Sequence, residues 1–528
     1  MRLNPLTVIR ATRALTAVFV AGAVAAVSAA ELPAELDVRQ LQAALIAHRT
    51  TVTAVAQHYL QRINALDVHG PALHSIIQVN PDAAALAAQL DAGAGKDGIL
   101  FGVPVVLKDN IETADGMLTT AGSLALKDSK PRQDAFIVRR LRASGALLLA
   151  KTNLSEWANF RSNRSTSGWS GRGGLTRSPY DTTRNACGSS SGSGVAVAAD
   201  LTVLAVGTET DGSVVCPASF NGLVGIKPTV GLVSRSGIIP ISAKQDTAGP
   251  MARSVADAAA LLTVLAGYDP ADPATAPLKA APPPDYRKFL DSGALKGKRI
   301  GVVRKLAGFD DEVDVVFNQA LKVLQAQGAI LVDPVELPNA DKLAPDELTA
   351  LLYEFKDGLN RNLAARTGTS PRSLAEVIAW NKAHAAQEMP WFGQDIMTDA
   401  EAKGPLTDAA YVQARERAQR LAGREGIDAA LAHDHLDALI APTGGPTFVS
   451  DLINGDHILG GAITAPPAIA GYPHITVPMG AVHGLPVGLS IVGTAFSEPK
   501  LIGIAYAYEQ ASHARRPPHL PAAVKAPN

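Results

Sequence analysis

The sequence has 528 residues and a formal net charge of −1, and 18% of its residues are charged. No long run of like charge occurs, so the composition argues against a nucleic acid or an acidic surface as a partner. A chain of this length is ample for a large buried core, and 47% of its residues are hydrophobic.

The start of the chain has the pattern of an export signal. Positive charge is supplied by Arg2, Arg10 and Arg13. An apolar run from Ala14 to Val27 follows, and then the small residues Ser28-Ala29-Ala30. The run is shorter than the ~20 residues that a membrane-spanning helix needs, although a short membrane anchor is the alternative. We predict a secretory signal peptide over residues 1–30 and an exported mature protein, periplasmic or extracellular, over residues 31–528, which does not associate with a membrane.

The mature part begins with helices and then alternates helices with strands. Helix spacing is seen in two sets, Val38, Leu41, Leu45 and Ile46, and Val55, Tyr59, Leu60 and Ile63. The β-branched segment 102–108 predicts a short buried strand. A predicted helix over 138–142 and a predicted strand over 146–151 follow. This alternation predicts an α/β fold.

The middle of the chain contains one long loop. Residues 160–194 are dense in Ser, Gly, Thr, Asn and Arg, and a loop of that length inside a compact domain usually serves a function. Beyond it we predict helices over 195–199, 251–267 (capped by Ser254) and 498–510. Strands are predicted over 202–207, 298–303, 436–441, 475–477 and 489–492. We also predict a surface connection over 268–295 and a largely helical part over 310–440. With no internal repeat and no clear linker, one large domain is the simplest interpretation.

A lysine ends the predicted strand 102–108. A charged lysine at this position is costly to bury unless it is paired or neutral. Lys108 therefore either reaches solvent, or pairs with Asp109, or is desolvated with a lowered pKa. The last interpretation makes Lys108 a candidate base.

Two turns rich in glycine and serine carry the other candidate groups. The first, Gly188–Gly194, is either a flexible linker or a turn whose N–H groups point into a cavity. It matches the nucleophile elbow G-x-S-x-G, but a loop rather than a strand precedes it, so we regard that match as accidental. The second, Gly207–Ser213, is either a plain β-turn or a turn that exposes the Ser213 hydroxyl beside an oxyanion hole.

The order of these features resembles the amidase-signature family: a lysine, then a Gly/Ser-rich turn, then Asp-Gly-Ser. Further matching segments are Lys151-Thr152-Asn153, Gly222–Thr229, Asp246–Arg253 and Leu485–Leu489, so the resemblance covers nearly the whole mature chain. It implies one large α/β domain whose central, mostly mixed sheet is covered by helices on both faces. It also implies hydrolysis of amide bonds by a Ser–Ser–Lys triad through an acyl-enzyme.

The resemblance assigns roles residue by residue. It makes Ser213 the nucleophile, Ser189 the bridging serine (joined to Gly188 by a cis peptide in the family) and Lys108 the base. The implied oxyanion hole consists of the backbone N–H groups of Thr210, Asp211, Gly212 and Ser213. Candidate substrate-binding residues are Trp157, Ala158, Asn159 and Ser190. The aromatic residues of this region, Trp157, Phe160 and Trp169, belong either to an acyl pocket or to the core.

Several positions depart from the commoner family pattern. Cys187 and Ser191 stand where glycines are usual, and Glu209–Ser213 replaces the usual Asp-Thr-Gly-Gly-Ser. No catalytic side chain is lost, and the Asp211 side chain beside the oxyanion hole is expected to narrow the substrate range. These departures, with Asn153–Phe160 and Ser497–Ile502, resemble the bacterial peptide amidases of the family. That likeness implies hydrolysis of the C-terminal carboxamide of peptides to free acid and ammonia, with internal peptide bonds spared.

Metal and cysteine chemistry have little support in the sequence. No H-E-x-x-H motif is present and His433-Asp434-His435 is interpreted as a solvated helix end, so we expect no metal and no cofactor. The two cysteines, Cys187 and Cys216, do not make a disulfide framework. An exported protein can bridge them, but two buried free thiols is the expectation. We expect a monomer that acts on a small peptide-amide or other amide substrate.

Three other functions fit parts of this pattern. The first is a broader hydrolase of aryl or aliphatic amides in the same family. The second is a subunit of the transfer-RNA amidotransferase that passes ammonia to a partner. The predicted signal peptide disfavours this function, because reactions on transfer RNA take place in the cytoplasm. The third is an inactive homologue that binds peptides, which the presence of Lys108, Ser189 and Ser213 disfavours.

Overall fold

An eleven-stranded mixed sheet lies at the centre of the computed structural model, which describes residues 32–458 and 460–520. The strands are β1 (Ile76–Val79), β2 (Pro104–Lys108), β3 (Leu147–Thr152), β4 (Leu204–Glu209), β5 (Val224–Lys227), β6 (Thr247–Ala252), β7 (Arg299–Val302), β8 (Ile330–Val332), β9 (Ala438–Pro442), β10 (His474–Val482) and β11 (Leu485–Val492). The predicted signal peptide, residues 1–30, lies outside the described residues.

The sheet combines two parallel groups with an antiparallel centre. The spatial order is β1-β3-β2-β4-β6-β5-β10-β11-β9-β7-β8. Strands β3, β2 and β4 are parallel to one another, as are β9, β7 and β8. Antiparallel pairing joins these groups through β6, β5, β10 and β11, and it adds β1 at the edge. The predicted α/β fold with a mixed sheet is therefore confirmed.

Helices flank the sheet, and three helices of the segment 344–422 pack beside the loop 156–160. The α-helices are α1 (Val38–Ile46), α2 (Val52–Arg62), α3 (Ala83–Asp91), α4 (Phe136–Ala143), α5 (Ser191–Ala198), α6 (Val215–Phe220), α7 (Val255–Leu265), α8 (Asp311–Ala326), α9 (Ala344–Ala365), α10 (Leu374–Ala383), α11 (Ala385–Glu388), α12 (Asp395–Glu401), α13 (Ala409–Ala422), α14 (Asp428–His433), α15 (Ala465–Ala470) and α16 (Glu498–Ser512). Within the described residues, none of the helices is both long and apolar enough to cross a membrane.

The predicted helix over 251–267 is wrong at its start. Met251 and Ala252 end strand β6, and helix α7 begins at Val255. All six residues of β6 are buried, so the alternation of polar and apolar residues that marks a half-buried strand is missing. The predicted cap is confirmed, because the Ser254 side chain accepts a hydrogen bond from the backbone N–H of Asp257.

Two apolar clusters position the functional part of the chain. The larger one lies between the sheet and its flanking helices. The second joins Trp157 and Phe160 to buried side chains of α9, α10 and α12, including Leu359, Val377 and Met397. Each fully buried side chain of this kind contributes about 1.5–3 kcal/mol. This packing fixes the loop 156–160, which lines the site described below, against the helical segment.

Candidate active site

Lys108 is the last residue of β2, and its side chain is fully buried. Its Nζ donates hydrogen bonds to Ser189 Oγ at 2.7 Å, to Thr208 Oγ1 at 2.9 Å and to the Thr208 carbonyl oxygen at 3.2 Å. Burial lowers the pKa of Lys108 to about 7, although the nearby carboxylates of Glu209 and Asp246 act in the opposite direction. A large share of the molecules therefore carries a neutral amine at neutral pH, which is the form that can accept a proton.

The sheet brings Lys108 and Thr208 together. Strands β2 and β4 are parallel neighbours, with Leu107 opposite Val206, so their carboxyl ends meet at one edge of the sheet. The Thr208 hydroxyl also accepts a hydrogen bond from Asn110 Nδ2 at 2.9 Å. The Lys108 amine is thus held by the side chain and backbone of Thr208, near the end of β4, and by the Ser189 hydroxyl.

Ser189 lies in the Gly/Ser-rich turn that leads into α5. A cis peptide joins Gly188 to Ser189. The Ser189 carbonyl oxygen accepts a hydrogen bond from the Ser155 backbone N–H at 3.1 Å. A Cβ atom on Gly188 would lie 2.2 Å from Ser155 Oγ, so a larger residue does not fit. These contacts hold the Ser189 hydroxyl in front of Lys108 Nζ.

Ser213 follows a tight turn between β4 and α6. Gly212 has φ +75°, a left-handed conformation that glycine adopts without strain. The Glu209 carboxylate accepts backbone N–H groups of Val214 at 2.7 Å and Val215 at 3.0 Å. It also takes a hydrogen bond from the Gly212 N–H, one of the four groups assigned to the oxyanion hole. Glu209 therefore holds the shape of the turn that presents Ser213.

The two serine turns are connected directly. The Ser190 backbone N–H donates to the Ser213 carbonyl oxygen at 3.1 Å. The Ser190 hydroxyl donates to the Thr208 carbonyl oxygen at 3.0 Å and accepts from the Thr208 N–H at 3.1 Å. The structure thus brings the three predicted catalytic residues to one place, and Ser190, a candidate substrate-binding residue, connects the backbones of Ser213 and Thr208.

A cavity of about 290 Å³ opens beside Ser213. Its wall contains the turn Thr210–Ser213, the loop residues Ala158–Phe160 and the rings of Phe220 and Phe448. Leu351 of α9 covers part of it. A mainly apolar lining with a few polar groups is typical of a site for a small organic ligand.

Two of the candidate substrate-binding residues line the cavity, and Trp157 does not. Ala158 and Asn159 line the cavity, and both have left-handed backbone, with φ of 56° and 70°. Trp157 is 2% exposed and lies in the second apolar cluster rather than among the described residues that line the cavity. Asn159 Nδ2 donates to Ser167 Oγ at 2.9 Å, and Ser167 in turn donates to Asp456 through its N–H at 2.8 Å and its Oγ at 2.6 Å.

The two cysteines form a disulfide in the wall of this cavity. Cys187 precedes Gly188 directly, and Cys216 belongs to α6, three residues after Ser213. The expectation of two free thiols is therefore wrong. Sequence spacing does not reveal the bridge, because the contact arises from the meeting of two turns 29 residues apart.

The residues that support the site were not predicted from the sequence. Thr208 accepts hydrogen bonds from Lys108 Nζ and Asn110 Nδ2, and Glu209 shapes the turn that presents Ser213. Asp246 accepts the Thr210 hydroxyl at 2.6 Å, and burial raises the pKa of Asp246 to about 6. Thr208 and Glu209 gave the same signal as Lys108, since each is a polar residue at the end of an apolar strand.

The fold and the site together define an amide hydrolase, and the chain belongs to the amidase family, whose model matches residues 54–502. The chain therefore hydrolyses carbon–nitrogen bonds of linear amides, and the resemblance seen in the sequence is confirmed. A probable amidase of Arabidopsis thaliana is 41% identical over 92% of this chain and 91% of its own.

Two solved structures are especially similar. The native peptide amidase from Stenotrophomonas maltophilia is 55% identical with a TM-score of 0.86, covering 92% of this chain and 99% of that chain. The peptide amidase PAM in complex with the competitive inhibitor chymostatin is also 55% identical, with a TM-score of 0.87 and the same coverage of both chains.

We expect kcat/KM for amide substrates to rise with pH through about 7, following the pKa of Lys108. Below that pH the amine is protonated and cannot accept the proton of Ser189, so activity falls. Arg at this position stays charged over the whole range, so Lys108→Arg is expected to lose activity at every pH. A pH profile of initial rates checks this, and a flat wild-type profile between about pH 5.5 and 8.5 would contradict the role of Lys108 as base.

Proposed function

We propose that the chain hydrolyses the C-terminal carboxamide of peptides to the free acid and ammonia. The observation that carries this proposal is the 2.7 Å bond from Lys108 Nζ to Ser189 Oγ beside the cavity that contains Ser213. The similarity to two peptide amidase structures supports the choice of substrate.

The proposed reaction begins with a proton relay. Neutral Lys108 accepts the proton of Ser189, and Ser189 accepts the proton of Ser213 as its Oγ attacks the carboxamide carbon. Backbone N–H groups of the turn that begins at Thr210 stabilise the tetrahedral oxyanion. The relay then returns a proton to the nitrogen, the carbon–nitrogen bond breaks and ammonia leaves. A water molecule, deprotonated by the same relay, hydrolyses the acyl-enzyme and restores the Ser213 hydroxyl.

The cavity offers a contact suited to a peptide chain. Asn159 Oδ1 is buried and has no hydrogen-bond partner within residues 32–458 and 460–520. A buried acceptor without a partner is costly, and a bound ligand that donates to it relieves that cost. We propose that Asn159 Oδ1 accepts a hydrogen bond from a backbone N–H of the bound peptide. The rings of Phe220 and Phe448 then pack against apolar side chains of that peptide.

Ammonia release from a blocked dipeptide amide tests the proposal, with mass spectrometry of the products to follow the internal bond. The expected result is one equivalent of ammonia for each molecule of free acid, with the internal peptide bond intact. Turnover of simple aryl or aliphatic amides without turnover of peptide amides would contradict it and favour the broader amidase of the same family. A tertiary dialkylamide of the same dipeptide is the matched control substrate.

We also propose that the protein is exported and that residues 1–30 are removed on the way. The charged and apolar pattern of these residues supports this, as does a disulfide, because such bridges persist in oxidising compartments. N-terminal sequencing of the protein from the periplasm or medium is expected to begin near Glu31. An intact N-terminus on protein confined to the cytoplasm would contradict this.

A further inference from the structure

The cavity wall contains two acidic side chains that the relay does not use, Asp211 and Asp456. Asp211 lies two residues before Ser213 and lines the same cavity. Its carboxylate accepts a hydrogen bond from the Thr464 side chain. Its Oδ1 is buried and has no hydrogen-bond partner in the part of the chain that the structure describes. Burial of such an acceptor needs a compensating donor, which a ligand in the cavity can supply.

The charge of the cavity wall is negative. The ionisable side chains among the described lining residues are Asp211 and Asp456, and no Lys, Arg or His side chain lines it there. Asp456 already accepts both the N–H and the hydroxyl of Ser167. Of these two acids, Asp211 is therefore the one with a carboxylate oxygen that is free to accept a hydrogen bond from a ligand.

The reaction changes the charge of the ligand at this place. A carboxamide is neutral and presents two N–H donors, whereas the product is a carboxylate that only accepts hydrogen bonds. A neighbouring carboxylate attracts the first and repels the second. At an effective dielectric constant of ~20, two like charges about 6 Å apart repel strongly enough to weaken binding by about tenfold to a hundredfold.

We propose that Asp211 is the residue that makes the site discriminate between the carboxamide substrate and the carboxylate product. Its free oxygen accepts an N–H of the bound carboxamide, and its charge expels the free acid after hydrolysis. This inference rests on the proposed function, because it takes Ser213 as the point at which the carboxylate forms.

The surrounding charges give the discrimination a pH dependence. Burial raises the pKa of Asp211 to about 6, the carboxyl group of Glu209 adds to the rise, and the Thr464 bond and Lys227 oppose it. Glu347 of α9 is the other acid near Asp211, and burial raises its pKa to about 8. As the pH falls through about 6, Asp211 becomes neutral and the free acid is expected to bind more tightly. Lys108 gains its charge through about 7 and acts in the same direction, so the contribution of Asp211 is the part of the pH dependence that Asp211→Asn removes.

The experiment measures the inhibition constant of a blocked dipeptide acid against turnover of the matching amide, from pH 5.5 to 8.5. Wild type is expected to show inhibition that strengthens by about tenfold or more towards the acid end. Asp211→Asn is expected to bind the acid about tenfold more tightly than wild type at pH 8 and to lose most of this pH dependence. Asp82→Asn, an exposed position on the segment between β1 and α3, is the matched control and is expected to behave as wild type.

The alcohol analogue of the blocked dipeptide acid has no charge, so its binding distinguishes an effect of charge from an effect of cavity shape. Its affinity is expected to change little in Asp211→Asn, since it carries no charge to be repelled. An equal shift for acid and alcohol, an unchanged inhibition constant for the acid, or loss of the effect in Asp456→Asn instead would overturn the inference. If Asp211→Asn does not fold, Asp211→Gly, which has the residue of the commoner family pattern at this position, is measured in its place. Wild type that turns over no peptide amide counts against the proposed function, whereas turnover with pH-independent acid inhibition counts against Asp211 alone.

Discussion

Replacing Ser213 with alanine is expected to lower kcat/KM for amide substrates by about 10⁴-fold or more. The Ser213 hydroxyl is the proposed attacking group, and it is the oxygen that the proposed relay from Lys108 through Ser189 activates. The fold is expected to survive, because the change removes one small polar group at the cavity wall and leaves the Ser213 backbone bond to Ser190 in place. Ammonia release measures the loss of activity, and a thermal unfolding curve on the same preparation shows whether the fold is intact.

Ser219→Ala is the matched control for this variant. Ser219 lies in α6, and its Oγ is buried without a hydrogen-bond partner in the described chain. Its removal is therefore expected to leave activity unchanged and stability equal or slightly higher. Activity of Ser213→Ala within about tenfold of wild type would rule out Ser213 as the nucleophile. Ser189→Ala and Lys108→Met are expected to be impaired as well, with the double variant little worse than either, because residues of one relay are not additive.

Removal of the disulfide is expected to cost about 3 to 4 kcal/mol of unfolding free energy, the value for a loop closed over 29 residues. The double variant Cys187→Ala/Cys216→Ala leaves no thiol to cross-link other chains. It is expected to raise KM as well, because both positions line the cavity and adjoin the two serine turns. Urea unfolding followed by fluorescence, with kinetics in dilute urea, measures both effects.

Reduction of the wild-type protein is expected to reproduce the loss of stability. The control is the double variant treated with the dithiol that reduces the wild type. The unfolding midpoint of the double variant is expected to stay unchanged. Equal midpoints for oxidised and reduced wild type would show that the bridge does not stabilise the fold. A lowered midpoint with unchanged KM would show that the bridge stabilises the fold without shaping the cavity.

The parts of the fold that the sequence predicted are those with a local signal. A run of apolar β-branched residues predicted β2 and its terminal Lys108, and strand β2 is buried along its whole length. Ser254 was predicted as a helix cap because a serine directly before a helical pattern is a local signal for an N-cap. Strand β1 has four residues, and β6 is buried on both faces, so neither shows the alternation that reveals a strand.

The catalytic roles of Lys108, Ser189 and Ser213 were predicted through the family resemblance, while the surroundings of these residues depend on contacts that spacing does not encode. Glu209 is adjacent in sequence to the nucleophile turn, yet its role depends on how the turn folds back onto it. Glu347 comes near Asp211 from a helix more than a hundred residues away. The bridge between Cys187 and Cys216 likewise follows from the meeting of two turns, so composition favoured free thiols.

The placement of Leu351 has a consequence for how this enzyme can diversify. Of the described residues that line the cavity, Leu351 is the one contributed by the helical segment 344–422, whereas Gly188 and Ser213 belong to turns at the edge of the sheet. Leu351 thus reaches the cavity from a stretch of sequence that contributes no residue to the proposed proton relay. Mutation at this one position can therefore alter the wall of the cavity while selection keeps the relay untouched.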